Sequence, residues 1–498
     1  MKRHPAHPRR ISRKSLLLPV LLALGVCLLI LCACDDGLPS PLSPRPVYDM
    51  TLTFDGERTA TLKEEMLFTN DTGEHLDELA FHLYPNAFSK DADAPPCPED
   101  EREEFYYNGE SFGGIEVSSV RIDGKTSVFE LSEDGELLTA EHDLPVGDTV
   151  TVSFSAELTL PECNARFGVT ETSVNFTGFY PVLCVREDGG WRTEGYSPVG
   201  DPFFSETSDF FLTLTAPSGY AVACSGEMLS SSGKGETTVT EIAAERVRDF
   251  ALFLSEDFEN ATSFSETETG KIRLEYFFLS DSAPADTLSL AAEAVEFFSE
   301  TFGDYPYPVL TLVQAPVGAG GMEYGALAAV DTSVTDEEEF RLTLVHEIAH
   351  QWWFGVVGSD QLNSPWLDEG LTEFSAAYFF LCRGERDVYL SSVRSASSYY
   401  ARYSSLPADV GFDGRMDRPL SSYLTNGEYV AVTYCKGLLL FDALLSLSGR
   451  ERMNAALQDY FSSNAFGIAD AEALASSFAR AGMEVLPVIK AFTEGRTV

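Results

Sequence analysis

The sequence predicts a multidomain β + α/β protein, an antiparallel β N-terminal domain followed by a mostly helical second domain. Two textures and the length of the chain predict it. Across residues 47–258 apolar and polar side chains alternate: Val150, Val152, Phe154, Ala156, Leu158 and Leu160 interleave with Thr151, Ser153, Ser155, Glu157 and Thr159, and Phe210, Leu212, Leu214 and Ala216 repeat the device. A period of two puts one face of each strand in a core and the other in water. The period then changes, with Leu288, Ala291, Ala292, Val295, Phe298 and Phe302 at helical spacing behind Ser282 and Pro284, a capped start. A chain of 498 residues, 44% of them hydrophobic, holds material for at least two cores.

The first 33 residues stand apart from the fold. Lys2, Arg3, Arg9, Arg10, Arg13 and Lys14 precede an apolar run from Leu16 to Ala33, the pattern of an export signal. The run ends in Leu31-Cys32-Ala33-Cys34, which resembles the lipobox of bacterial lipoproteins and implies Cys34 as a lipid-bearing N-terminus after cleavage. The alternative is an uncleaved anchor helix, because 18 apolar residues approach spanning length. Either way the body of the chain is expected outside the cytoplasmic membrane, with no second apolar segment near spanning length. Residues 34–46, with Pro39, Pro41, Pro44 and Pro46, read as a linker. A polar stretch, Glu259 to Gly270, marks the boundary between a β domain at 47–258 and a second domain at 259–498.

The formal charge is −44, and the six basic residues of the export segment leave 28 basic against 78 acidic side chains in the remainder. Nucleic acid is excluded as a partner by that balance. The acidity serves either to attract cationic peptides or simply to keep an exported surface solvated. Six cysteines lie beyond the export segment, Cys97, Cys163, Cys184, Cys224, Cys382 and Cys435, without the C-x-x-C spacing of a zinc knuckle or redox pair, and their pairing stays open.

Chemistry concentrates around residues 335–373. Thr335-Asp336-Glu337-Glu338 matches a capping box, so a helix is expected to start there and run through His346-Glu347-Ile348-Ala349-His350. A spacing of four puts both imidazoles on one face, able to chelate one ion, with Glu347 beside it as a base acting on water. No other histidine follows His142, so the third ligand is expected to be a carboxylate. Trp366-Leu367-Asp368-Glu369-Gly370 supplies Glu369, with 18 residues between it and His350. Two histidines and a glutamate leave a tetrahedral Zn2+ one open position, as catalytic zinc requires. Glu373, four residues after Glu369 on the same helical face, either fixes the tautomer of a ligating histidine or is an exposed acid.

H-E-x-x-H, 18 residues, then Glu within W-L-x-E-G resembles the gluzincin metallopeptidases, and within them the aminopeptidase-N-like family that includes the leukotriene-hydrolase branch. Gly320-Gly321-Met322-Glu323-Tyr324 resembles that family's G-A-M-E-N motif, and Tyr434-Cys435-Lys436-Gly437 its Y-x-K-G motif. Phe81-His82-Leu83-Tyr84-Pro85-Asn86 extends the likeness into the β domain, so that it covers nearly all of residues 47–498. The resemblance implies a thermolysin-like catalytic domain, with Glu323 binding the free α-amine of a peptide and the backbone at Gly320, Gly321 and Met322 pairing with it. It also implies that Tyr434 stabilises the transition state; Tyr429 is expected to line the same pocket. Three departures stand out. Tyr324 replaces the motif's asparagine, the β-domain Gln or Glu that helps hold the amine is not identifiable, and only 129 residues follow Glu369, so the large C-terminal helical domain is expected to be absent and the cleft more open.

The expectation is therefore a zinc metallopeptidase holding one Zn2+ per chain, lipid-anchored outside the bacterial cell membrane and removing N-terminal residues from peptides. An endopeptidase on the same zinc and a non-catalytic peptide-binding lipoprotein are the alternatives. Oligomeric state is not legible in the sequence.

Overall fold

The computed structural model describes residues 44–187, 189–279, 286–407 and 411–495. The export segment with Cys34, and the capping residues Ser282 and Pro284, lie outside them. Residues 44–498 form one compact unit.

Its first part is β, as predicted. Eight strands make the largest sheet, in the spatial order Glu227–Lys234, Thr237–Val247, Ser208–Pro217, Val47–Phe54, Thr59–Thr69, Thr149–Thr159, Gly114–Ile122 and Lys125–Thr126. The alternating residues of Thr149–Thr159 send Val150, Val152, Phe154, Ala156 and Leu158 inward. Pairing is antiparallel except between Val47–Phe54 and Ser208–Pro217, which run parallel, a detail that alternation alone cannot reveal. Two four-stranded sheets and a two-stranded one complete the part around an aromatic core that includes Tyr48, Phe81, Phe176, Tyr180 and Phe210. No disulfide occurs among the described residues, and all six cysteines are free thiols.

The polar stretch 259–270 forms a strand and a turn that open a second sheet. Phe258–Thr267 pairs with Gly270–Leu279 as the edge of a five-stranded sheet continued by Val309–Gln314, Leu327–Val330 and Gly321–Tyr324. An edge strand with one solvated face tolerates such polarity. The last strand, Gly321–Tyr324, is the opposite edge and the only one antiparallel to its neighbour in that half of the sheet.

Helices cover the rest: α1 (Thr287–Phe302), α2 (Glu337–His350), α3 (Trp366–Arg383), α4 (Arg386–Ser404), α5 (Lys436–Ser448), α6 (Arg450–Asn464), α7 (Ala471–Arg480) and α8 (Leu486–Thr493). The cap of α2 is Asp336 rather than Thr335, its carboxylate accepting from the backbone N–H groups of Glu338 and Glu339. The expectation of no second apolar segment near spanning length fails at Asn426–Ser448, 23 residues long and apolar enough to cross a membrane by length and composition, but half buried in the protein. Leu438, Leu440, Phe441 and Leu444 pack there into the core beside α3, which explains the apolarity.

Glu64 breaks the inward apolar pattern of its strand. It is 2% exposed, and neither carboxyl oxygen finds a hydrogen-bond partner. Burial pushes its pKa well above the usual carboxylate range. The folded chain thus holds a proton that the unfolded chain releases, and stability falls as pH rises from the unfolded value toward the folded one, by about 1.4 kcal/mol per pH unit. Glu64→Gln is expected to remove that slope. Thermal unfolding of both proteins from pH 5 to 8 checks it, and parallel curves would show that Glu64 is compensated.

Candidate metal centre

Three elements build the site. The edge strand Gly321–Tyr324 presents Glu323, α2 presents His346, Glu347 and His350, and α3 presents Glu369 and Glu373 within its first three turns. The α2–α3 packing closes a triangle of donor atoms. His346 Nε2 and His350 Nε2 are 3.1 Å apart, and Glu369 Oε2 lies 3.2 Å from the first and 3.3 Å from the second. A tetrahedral ion with bonds of about 2.0–2.1 Å sets its donors about 3.3 Å apart, so the triangle has the size such an ion requires. All three side chains are buried.

Each imidazole is held from behind. His346 Nδ1–H donates to Glu373 Oε2 at 3.0 Å, and His350 Nδ1 meets Thr372 Oγ1 at 3.2 Å. Both Nε2 atoms thereby face the same point, the arrangement that outer partners impose on metal-binding histidines. The electrostatics ask for a cation there. Burial opposes charge on His346, yet its hydrogen bonds to Glu369 and Glu373 carry its pKa well above the usual value. Glu369 is held well below the carboxylate range by both histidines, against the effect of burial.

Glu347 and Glu323 complete the centre. Donor atoms of Glu323, Glu347 and His350 lie within 4.8 Å of one another. Burial pushes Glu347 up to about 8, with Glu369 and Asp201 adding to the effect and His346 opposing it, and its Oε2 has no partner in the protein. A side chain at Gly321 would come within 2.2 Å of Glu347 Oε1, so only glycine lets the edge strand approach this closely. Gly320 and Gly321 line the open cleft, whereas Met322 is 2% exposed and packs in a separate apolar cluster, so its side chain faces away. Tyr324, where the motif has asparagine, is buried beside Phe253 and is absent from the cleft wall.

Tyr434 stacks on the His346 ring at 5.7 Å, and Tyr429 meets Tyr434 edge-on at 5.7 Å with its hydroxyl unpartnered. Both line a cavity of about 600 Å³ shared with the triangle, Glu323 and Glu347. Tyr434 lies in a widened helical turn, Val430–Cys435, leading into α5. There Gly437 meets Gly370 of α3: a Cβ on either would fall 2.4–2.7 Å from the other's Cα. The glycines of the two motifs thus form a backbone contact that sets Tyr434 beside Glu369. Lys436 is buried and donates to the carbonyl of Gly414 at 2.7 Å.

Several groups escaped the sequence reading. Asp201, from the β part, lines the cleft and accepts from Arg166 at 3.2 Å; a turn in Gly200-Asp201-Pro202 was its only signal. Gln361 donates to Glu323 Oε1 at 3.1 Å. Gln351, immediately after His350, donates to the Tyr324 carbonyl and accepts from the Ala326 N–H, tying α2 to the edge strand.

Residues 287–492 match the Peptidase family M1 domain. The chain is 25% identical over 390 residues to aminopeptidase M1-C of Oryza sativa subsp. japonica, covering 72% of this chain and 42% of that protein. It is 23% identical over 387 residues to aminopeptidase N of Lactobacillus delbrueckii subsp. lactis, with 70% and 42% covered. The chain therefore spans less than half the length of these relatives. Its fold is similar to that of an M1 zinc metallopeptidase from Deinococcus radiodurans, with a TM-score of 0.67 at 18% identity and coverage of 92% and 96%. A mutant of that enzyme was solved with a Tyr-Ser-Ala substrate and superposes with a TM-score of 0.66 at 18% identity, over 91% of this chain and 95% of that one. The matches bear out the resemblance to the aminopeptidase-N-like gluzincins, and the β-then-helical fold with it.

If Glu373 orients His346, Glu373→Ala is expected to weaken binding of a divalent ion about 10–100-fold. Zinc titration against a competing chelator measures this, and an unchanged affinity would leave Glu373 a surface acid.

Proposed function

We propose, from a chain whose residues 287–492 match the Peptidase family M1 domain, that this protein is a zinc-dependent aminopeptidase. His346, His350 and Glu369 would hold one Zn2+ per chain. Bound there, zinc supplies Lewis-acid polarisation of the scissile carbonyl and a more acidic attacking water. Glu347, within reach of the same point, takes the proton of that water and delivers it to the leaving amine. The Tyr434 hydroxyl donates to the oxyanion as it forms. Glu323, steadied by Gln361, receives the substrate's α-ammonium, and the glycine edge at 320–321 accepts the peptide backbone as an added strand.

One observation carries this reading. Asp201, Glu323, Glu347 and Glu369 are all buried around one cavity, and the only arginine or lysine among its described lining residues is Arg166. Such a concentration of carboxylates is tolerable only when positive charge joins it. A divalent ion and an ammonium group are two such charges of the right kind. Burial, then Asp201 and Glu369, push Glu323 well above the usual range, so it stands ready to ionise when a cation arrives. An endopeptidase, which brings no ammonium, would leave that demand unmet.

The same proposal extends to location, with residues 1–33 as an export signal and Cys34 as the lipid anchor outside the membrane.

Glu347→Gln is expected to lower kcat by at least about a thousandfold while zinc content is retained, and a chelator to abolish turnover of the native protein. Metal analysis alongside peptide hydrolysis checks both, and full turnover in the variant would remove Glu347 from the reaction. Release of the first residue from a free peptide is expected to vanish on N-acetylation and to fall at least about a hundredfold in Glu323→Ala. Mass spectrometry of the digests reads the outcome, and equal cleavage of capped peptides would overturn the aminopeptidase assignment.

A further inference from the structure

The cleft has a direction. Glu323 lies with Glu347 and His350, at the C-terminal end of α2. The cavity then continues along α2 past His346 to Thr343, Leu342, Glu339 and Glu338, which repeat on one helical face every three to four residues. A peptide with its amine at Glu323 and its first carbonyl at the metal triangle must therefore leave toward the N-terminus of α2. From His346 to Glu338 is about 12 Å at about 1.5 Å per residue, the span of three to four extended residues.

That exit is acidic. Glu338, Glu339 and Asp336 are exposed on it, and Glu101 and Glu373 line the same cavity. No described lining residue there is a lysine, and Arg166 is already paired with Asp201 at 3.2 Å. Two buried groups on the same cavity, Glu347 Oε2 and the Tyr429 hydroxyl, have no partner in the protein, so the cavity lacks the polar groups that an occupant would bring. The overall excess of 78 acidic over 34 basic residues adds a field of the same sign.

We propose that this cleft selects peptides with lysine or arginine at about the fourth and fifth residues, a class of basic peptides longer than a tripeptide. The inference rests on the aminopeptidase reading. Glu338 and Glu339 sit on the solvent side of the helix, so their attraction acts through water, strengthens at low ionic strength and fades once the screening length falls below the width of the cleft.

The test compares Ala-Ala-Ala-Lys-Lys-Ala with Ala-Ala-Ala-Glu-Glu-Ala on the zinc-loaded full chain, scoring release of the first alanine. At about 20 mM salt kcat/KM is expected to favour the lysine peptide about tenfold, falling to about twofold at about 0.5 M. The double variant Glu338→Gln, Glu339→Gln should bring the low-salt ratio below about threefold. Asp336, which caps the helix, remains in place, so the variant keeps its first turn. A low-salt ratio near one in the native protein overturns the charge inference while leaving the aminopeptidase reading intact, as does a ratio unchanged in the double variant. Release from neither peptide defeats the aminopeptidase reading, and this inference with it.

Discussion

Three donor atoms on two helices, none more than 3.3 Å from the others, decide what the surrounding protein must do. Two imidazole lone pairs and a carboxylate oxygen repel one another unless a cation lies between them. Holding them together without one costs free energy that the α2–α3 packing and the outer hydrogen bonds of Glu373 and Thr372 must offset. The fold meets that cost by burying the apolar residues of both helices, such as Leu344, Val345, Leu371 and Phe374.

The amine-binding side is coupled to this triangle through Gln351. Its amide oxygen accepts from Ala326 and its amide nitrogen donates to the Tyr324 carbonyl, so one side chain fastens the hairpin turn next to Glu323 onto the end of the histidine helix. Asp249 adds a third tie, accepting from the Gly325 N–H at 2.6 Å. The position of Glu323 relative to Glu347 is thus set by backbone contacts rather than by the flexible carboxylates themselves. Such pre-organisation is what a site acting on a fixed length of peptide needs.

Much of this was legible in the sequence, for physical reasons. Helical spacing and a lack of other histidines pointed to His346, His350 and a carboxylate, and period-two alternation gave the strands of residues 47–258. Tertiary contacts between distant segments were not legible. Asp201 reaches the centre from a turn in the β part, and nothing local distinguishes it from any other surface aspartate. The parallel pairing of Val47–Phe54 with Ser208–Pro217 is equally silent, since alternation reports which face is buried and not which way a neighbour runs. That the polar stretch from residue 259 forms an edge strand is equally silent, because edge strands and loops share a composition.

The meeting of Gly370 and Gly437 has a consequence for variation. With no side chain between the two helices, the reach of Tyr434 toward Glu369 is governed by main-chain contact, which apolar substitutions elsewhere in the helical layer cannot lengthen or shorten. The surrounding leucines and phenylalanines are free to drift in identity while the phenol keeps its address, but either glycine, once replaced by alanine, would shift it at a stroke.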